Sequence, residues 1–99
     1  MKLPIDVDKT VIAEFCRRNH IVRLSLFGSV LREDFGPESD IDVLVEFEAE
    51  AVVTLLDMAR MEDELAQLFG HQVDLRTPQE LSRYFRDKVL AAAVVQYAA

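Results

Sequence analysis

Apolar positions along this chain alternate between helical and strand-like periods. After Asp8, the residues Val11, Ile12 and Phe15 recur at helical spacing, so Asp8 is placed to cap a helix ending near Asn19 and His20. Residues 21–27 (IVRLSLF) are a short β-branched and apolar run that reads as a strand, and Gly28-Ser29 breaks it. Residues 30–34 fit one short helical turn, and residues 35–39 (FGPES) fit a loop. A second strand covers residues 40–47 (DIDVLVEF).

A long amphipathic helix follows over residues 51–69, with Val52, Leu55, Leu56, Ala59, Leu65, Leu68 and Phe69 as its apolar side. Glu48 and Glu50 lie near its start, where negative charge suits the helix dipole, and Gly70 is a left-handed stop. Residues 71–76 (HQVDLR) form a third strand. Thr77-Pro78-Gln79-Glu80 matches a capping box with proline at the first helical position, and the helix it opens is expected to run to about Tyr97. On that helix Tyr84, Phe85, Val89 and Leu90 supply core positions. The tail AAAVVQYAA is unusually apolar and packs on the sheet or on a partner, alternatives the sequence leaves open. The order αβ(α)βαβα predicts an α/β fold with a small mixed sheet of three to four strands flanked by helices.

Composition narrows the classes. A length of 99 residues implies a single domain over residues 1–99, and 51% apolar residues suffice for a core. The net charge is −7, and the only adjacent basic residues are Arg17 and Arg18. Proteins that grip long nucleic acid need a basic stripe to neutralise phosphates, so long nucleic acid is not expected as a partner. A single nucleotide is different, because metal ions can meet its charge. The lone cysteine, Cys16, excludes an internal disulfide and fits a reducing compartment. The segment MKLPIDVDKT has no apolar stretch of the signal-peptide kind, and no apolar run approaches the roughly 18–20 residues of a membrane span. The expected location is the cytoplasm, away from membrane.

Three aspartates carry the candidate chemistry. Asp40 and Asp42 lie two apart on an expected strand and so leave the same face, while Ile41, Val43 and Val45 take the other. In the third strand Val73 and Leu75 would face the core, putting Asp74 opposite. If these strands are neighbours, three carboxylates converge. Two carboxylates about 4 Å apart repel by roughly 4 kcal/mol at an effective dielectric near 20, and aspartate is a poor strand former. A hard divalent cation resolves both problems. Mg²⁺ takes a few carboxylates together with phosphate oxygens, and two such ions can clamp an in-line displacement at phosphorus. Gly28-Ser29 sits where a strand stops and a helical turn begins. There glycine lets backbone approach a phosphate, the following amides point at an anion, and the serine hydroxyl adds a donor. Arg32 faces the same side of that turn and could pair with phosphate.

Gly28-Ser29, ten intervening residues and then Asp40-Ile41-Asp42 resemble the signature of the polymerase β-type nucleotidyltransferase superfamily. The stretch GSVLREDFGPESDIDVLVEF, including Arg32 and Ser39, is similar to its minimal nucleotidyltransferase branch, and Asp74 matches the third carboxylate. The resemblance spans residues 24–76 and extends to whole-domain length. It implies a nucleotidyltransferase fold. Asp40, Asp42 and Asp74 would be catalytic and would hold Mg²⁺, two ions with ATP as substrate. Gly28 and Ser29 would hold the β- and γ-phosphates, with Arg32 and Ser39 completing the nucleotide site. It further implies an antitoxin that transfers AMP to a tyrosine of a HEPN-domain ribonuclease toxin, in a hetero-oligomer with it. A domain of this size has little material for an acceptor pocket, so another molecule must bring the acceptor.

Two other readings compete. The domain could be a non-catalytic nucleotide-binding antitoxin acting by steric contact, or it could modify a small molecule, which the absence of a second domain disfavours. Each motif residue also has a plainer reading. Asp40 and Asp42 could cap a turn or pair with arginines, Arg32 could pair with Glu33 or Asp34, Ser39 could be a turn serine, and Asp74 could be a solvated strand residue. His20 and His71 carry no assigned role, and Cys16 is expected to be inert near the apolar face of the first helix.

Overall fold

The computed structural model of the chain describes residues 8–32, 35–36 and 38–99. In order these form α1 (Lys9–Arg18), β1 (Ile21–Phe27), β2 (Ile41–Phe47), α2 (Leu55–Phe69), β3 (Val73–Arg76), α3 (Arg83–Ala92) and β4 (Val94–Ala98), with 3₁₀ turns at Gly28–Leu31 and Pro78–Glu80. The sheet is mixed, in the order β3-β2-β1-β4. β1 pairs antiparallel with both β2 and β4, while β2 and β3 run parallel, joined by α2 as the crossover helix. The α/β class with a small mixed sheet is as expected. The expected turn over residues 30–34 begins earlier, at Gly28; its Glu33 and Asp34, and Pro37 of the following loop, lie outside the described residues.

Local chemistry explains most boundaries. The Asp8 carboxylate accepts from the Thr10 and Val11 amides at 2.9 and 3.3 Å and starts α1. α2 starts at Leu55 rather than residue 51, because Thr54 and Asp57 form a reciprocal capping box: Asp57 N–H donates to Thr54 Oγ1 at 3.1 Å and Thr54 N–H to Asp57 Oδ2 at 3.0 Å. Gly70 closes the helix in the left-handed region at φ 70°.

The core lies on one face of the sheet. Ile12, Phe15 and Cys16 of α1 and Met61, Leu65 and Phe69 of α2 pack on Leu24, Leu26, Ile41, Val43 and Val45. Here the apolar side expected for α2 needs correction. Its buried row is Met61, Leu65 and Phe69, whereas Val52, Leu55, Leu56 and Leu68 are exposed. At about 100° per residue, the nine positions from Leu56 to Leu65 are half a rotation, so the two cannot share a face.

The C-terminal third departs most from expectation. The Thr77–Glu80 capping box forms, but it closes only the 3₁₀ turn Pro78–Glu80. Leu81 is extended, and Ser82 then caps α3 through the Tyr84 amide. α3 stops at Ala92, and residues that were expected to continue it become β4. The reason is tertiary. β1 would otherwise bare a sheet edge, and Val94 and Val95 are β-branched, so pairing with β1 outweighs local helix preference. The tail therefore packs on the sheet. Tyr84, Phe85 and Leu90 are not core: no residue of α3 is buried, and these three are 76%, 62% and 39% exposed.

Candidate active site

The antiparallel register of β1 and β2 pairs Phe27 with Asp42, so the turn leaving β1 lies beside the start of β2. Gly28 opens that turn at φ 72°, in the left-handed region that favours glycine. A methyl group at Gly28 would overlap Asp42 Oδ2 and stand 3.0 Å from its Cγ. A side chain here would be strained by the backbone angle and would have to displace the carboxylate packed against it.

The parallel register of β2 and β3 pairs Asp42 with Asp74. Ile41, Val43, Val73 and Leu75 are buried in the core, so strand alternation sends Asp42 and Asp74 to the opposite face, where both are half-buried. The structure thus brings together Gly28, Asp42 and Asp74. Asp40 is exposed and precedes β2, whose first residue is tied to β3 by Ile41 N–H donating to Gln72 O at 2.8 Å. Asp40 lines an open hollow with Ser39, Gly70, His71 and Gln72.

Ser39 is engaged locally. Its hydroxyl accepts from Gly36 N–H at 3.1 Å and its own N–H donates to Gly36 O at 3.0 Å, closing the turn that delivers Asp40. Arg32 is exposed just after the 3₁₀ turn. The backbone of Ser29 lies within that turn, and its side chain lies outside what is described. The alternative pairing of Arg32 with Glu33 or Asp34 also falls outside the described residues.

Three further residues, Arg76, Glu80 and Glu62, shape the site without having been assigned to it from the sequence. Arg76 Nη2 donates to Asp74 Oδ2 at 3.2 Å, and its Nη1 lies 4.0 Å from Glu80 Oε2. That hydrogen bond, with the charges of Asp74, Glu80 and Asp42, raises the guanidinium pKa above its usual value. Arg76 is two residues beyond Asp74 on one strand, so the same alternation that found the aspartates could have found it. Glu62 of α2 accepts from Leu75 N–H at 2.9 Å and so satisfies an amide of the edge strand that carries Asp74.

The arrangement suits a cation and a polyphosphate. Among the described residues no group of three or more acidic, histidine or cysteine side chains stands close enough to hold a metal ion by itself. The donors are instead two facing carboxylates, a third at the strand entrance, and a glycine cradle that a Cβ would fill. Carboxylates with open positions left for phosphate oxygens are the set Mg²⁺ prefers. The buried Cys16 is remote from this chemistry: burial pushes its thiol pKa up to about 12, so it stays protonated and inert.

The fold agrees with what the chain is similar to. The nucleotidyltransferase domain family matches residues 9–95, and the chain belongs to that family. Within it the similarity is to minimal nucleotidyltransferases. The chain is 37% identical to one solved candidate minimal nucleotidyltransferase, with a TM-score of 0.71 over 87% of this chain and 86% of that one. It is 35% identical, over 87% of its length and 90% of the relative's, to a candidate protein adenylyltransferase of Methanocaldococcus jannaschii. It is 32% identical, over 82% and 80%, to the protein adenylyltransferase MntA of Thermococcus cleftensis.

Two more distant structures share the fold alone. One is a toxin–antitoxin crystallised with AMP-PNP, at 20% identity and TM-score 0.73, covering 94% of this chain and 75% of that one. The other is a tri-AMPylated Shewanella oneidensis HEPN toxin in complex with an MNT antitoxin, at 19% identity and TM-score 0.60, covering 92% and 70%. Among the described residues no helix is long and apolar enough to cross a membrane.

Proposed function

We propose that this single domain is a Mg²⁺-dependent protein adenylyltransferase that acts as an antitoxin, moving AMP from ATP to a tyrosine of a HEPN-domain ribonuclease toxin. The observation that carries this reading is the meeting of Gly28, Asp42 and Asp74 on one face of the sheet. Family membership and relatives named as adenylyltransferases support it.

In this reading the amides after Gly28, with Ser29, seat the β- and γ-phosphates, and Arg32 meets their outer charge. Ser39 closes the turn that sets Asp40 beside the strand pair. Asp40, Asp42 and Asp74 would hold the metal, which would neutralise the triphosphate and favour the ionised acceptor hydroxyl. The acceptor oxygen attacks the α-phosphorus in line. A new P–O bond forms to tyrosine, the bond to the bridging oxygen breaks, pyrophosphate leaves with that electron pair, and the phenolic proton passes to solvent.

α3 favours a protein acceptor over a small one, because Tyr84 and Phe85 stand exposed on a helix with no fully buried residue. Adjacent exposed aromatics of this kind are suited to a partner contact. The same surface motivates a second reading, in which the domain silences its partner by contact and nucleotide only stabilises it. Mass spectrometry of the co-expressed partner, with ATP and Mg²⁺, tests the first: added AMP on tyrosine is expected, and its absence with both present counts against transfer. The pair Asp40→Asn with Asp42→Asn separates the two readings. Transfer predicts loss of protection in cells, whereas full protection by this double variant establishes contact as the mechanism.

A further inference from the structure

The third carboxylate already holds a cation of the protein's own. Arg76 donates to Asp74 Oδ2 at 3.2 Å, and 4.0 Å away on its other side stands Glu80. Glu80 is a fixed seat. Its Oε1 accepts from both Thr77 N–H and Thr77 Oγ1 at 3.2 Å. The 3₁₀ turn that bears it is clamped by Arg86, whose Nε donates to Pro78 O at 2.8 Å and Nη2 to Leu81 O at 3.1 Å. Arg76 itself is about half exposed, so its side chain can turn without opening the core.

We propose that Arg76 is a positioning residue that occupies Asp74 in the metal-free protein and moves onto Glu80 when a divalent cation takes that carboxylate. The inference rests on the metal site of the preceding section. The physical argument is one of charge. A guanidinium cannot relieve repulsion from an arriving cation by losing its proton, because arginine stays charged in proteins. It can shift instead, and Glu80, 4.0 Å from Nη1, is an acceptor the structure places beside it. Arg76 thereby keeps the acidic face neutralised while the metal is absent and lowers the site's affinity for bare metal.

The test is a titration of the whole chain with Mn²⁺ as a paramagnetic probe, without nucleotide. An exposed ion pair of this kind corresponds to about a two- to fivefold change in affinity. Arg76→Met should bind Mn²⁺ tighter by that factor, Arg76→Lys should stay near wild type, and Glu80→Gln should bind weaker, since the guanidinium has lost its second seat. Equal or weaker binding by Arg76→Met overturns the proposal, and wild-type binding by Glu80→Gln overturns the handover. If wild type and Asp74→Asn bind alike, the metal site itself is wrong, which separates that failure from this one.

Discussion

Two glycines with nearly the same backbone angle provide an internal comparison. Gly28 has φ 72° and Gly70 has φ 70°. An L-residue forced into the left-handed region costs about 1–2 kcal/mol. At Gly70 nothing lies within 4 Å of an added Cβ, so Gly70→Ala should cost that alone. At Gly28 the methyl would also overlap the Asp42 carboxylate, which must yield by about an ångström or displace the turn, adding about 1–3 kcal/mol of the kind seen on overpacking.

For a domain of this size each kcal/mol lowers Tm by roughly 4–8 °C. Thermal unfolding by circular dichroism should therefore place Gly28→Ala clearly below Gly70→Ala, and both below wild type. The functional difference should be larger than the thermal one, because displacing a catalytic group by about an ångström can cost on the order of 100-fold in rate. AMP transfer by Gly28→Ala should fall by that factor while Gly70→Ala remains near wild type. Equal melting temperatures for the two variants, with wild-type transfer by Gly28→Ala, would refute the claim that Gly28 exists to let backbone meet Asp42.

Other expectations follow from burial and charge. Saturating Mg²⁺ with ATP should raise Tm, since a ligand that binds only the folded state stabilises it; an unchanged Tm would argue for a solvated acidic strand. Cys16 has a thiol pKa raised from 9.0 to about 12 by burial, so above pH 9 the unfolded chain releases a proton that the folded chain keeps. Stability from this group is complete below pH 9 and declines toward pH 12. By pH 10.5 wild type should lose roughly 2 kcal/mol more than Cys16→Ala relative to pH 7 in urea unfolding, and parallel profiles would contradict this. Leu65→Ala empties a fully buried position between α2 and the sheet and should cost about 2–5 kcal/mol, whereas Leu56→Ala, on the exposed side, should stay within about 0.5 kcal/mol.

Much of the fold was legible because its signals are local. Asp8, the α2 stop at Gly70 and the alternation in β1, β2 and β3 each depend on a few neighbouring residues, and each element appears where its pattern lies. Part of the candidate site was legible for the same reason. Alternation alone sends Asp42 and Asp74 away from the core, and a strand that ends in Gly28 marks a left-handed turn.

What local pattern could not supply was partnership. That Asp42 faces Asp74, and that Gly28 abuts Asp42, depends on which strands lie side by side and in what register. The tail became β4 because β1 had an edge to fill, and hydrogen bonds to a distant strand outweigh helix preference that differs little from residue to residue. The exposure of Tyr84 and Phe85 goes with the same rearrangement, since α3 is only ten residues long and none of them is buried. The sequence by itself determined which residues bear charge, which bury and where turns must fall. Only the tertiary structure decided which of them meet, because contacts between strands far apart in the chain are set by the pairing of whole surfaces.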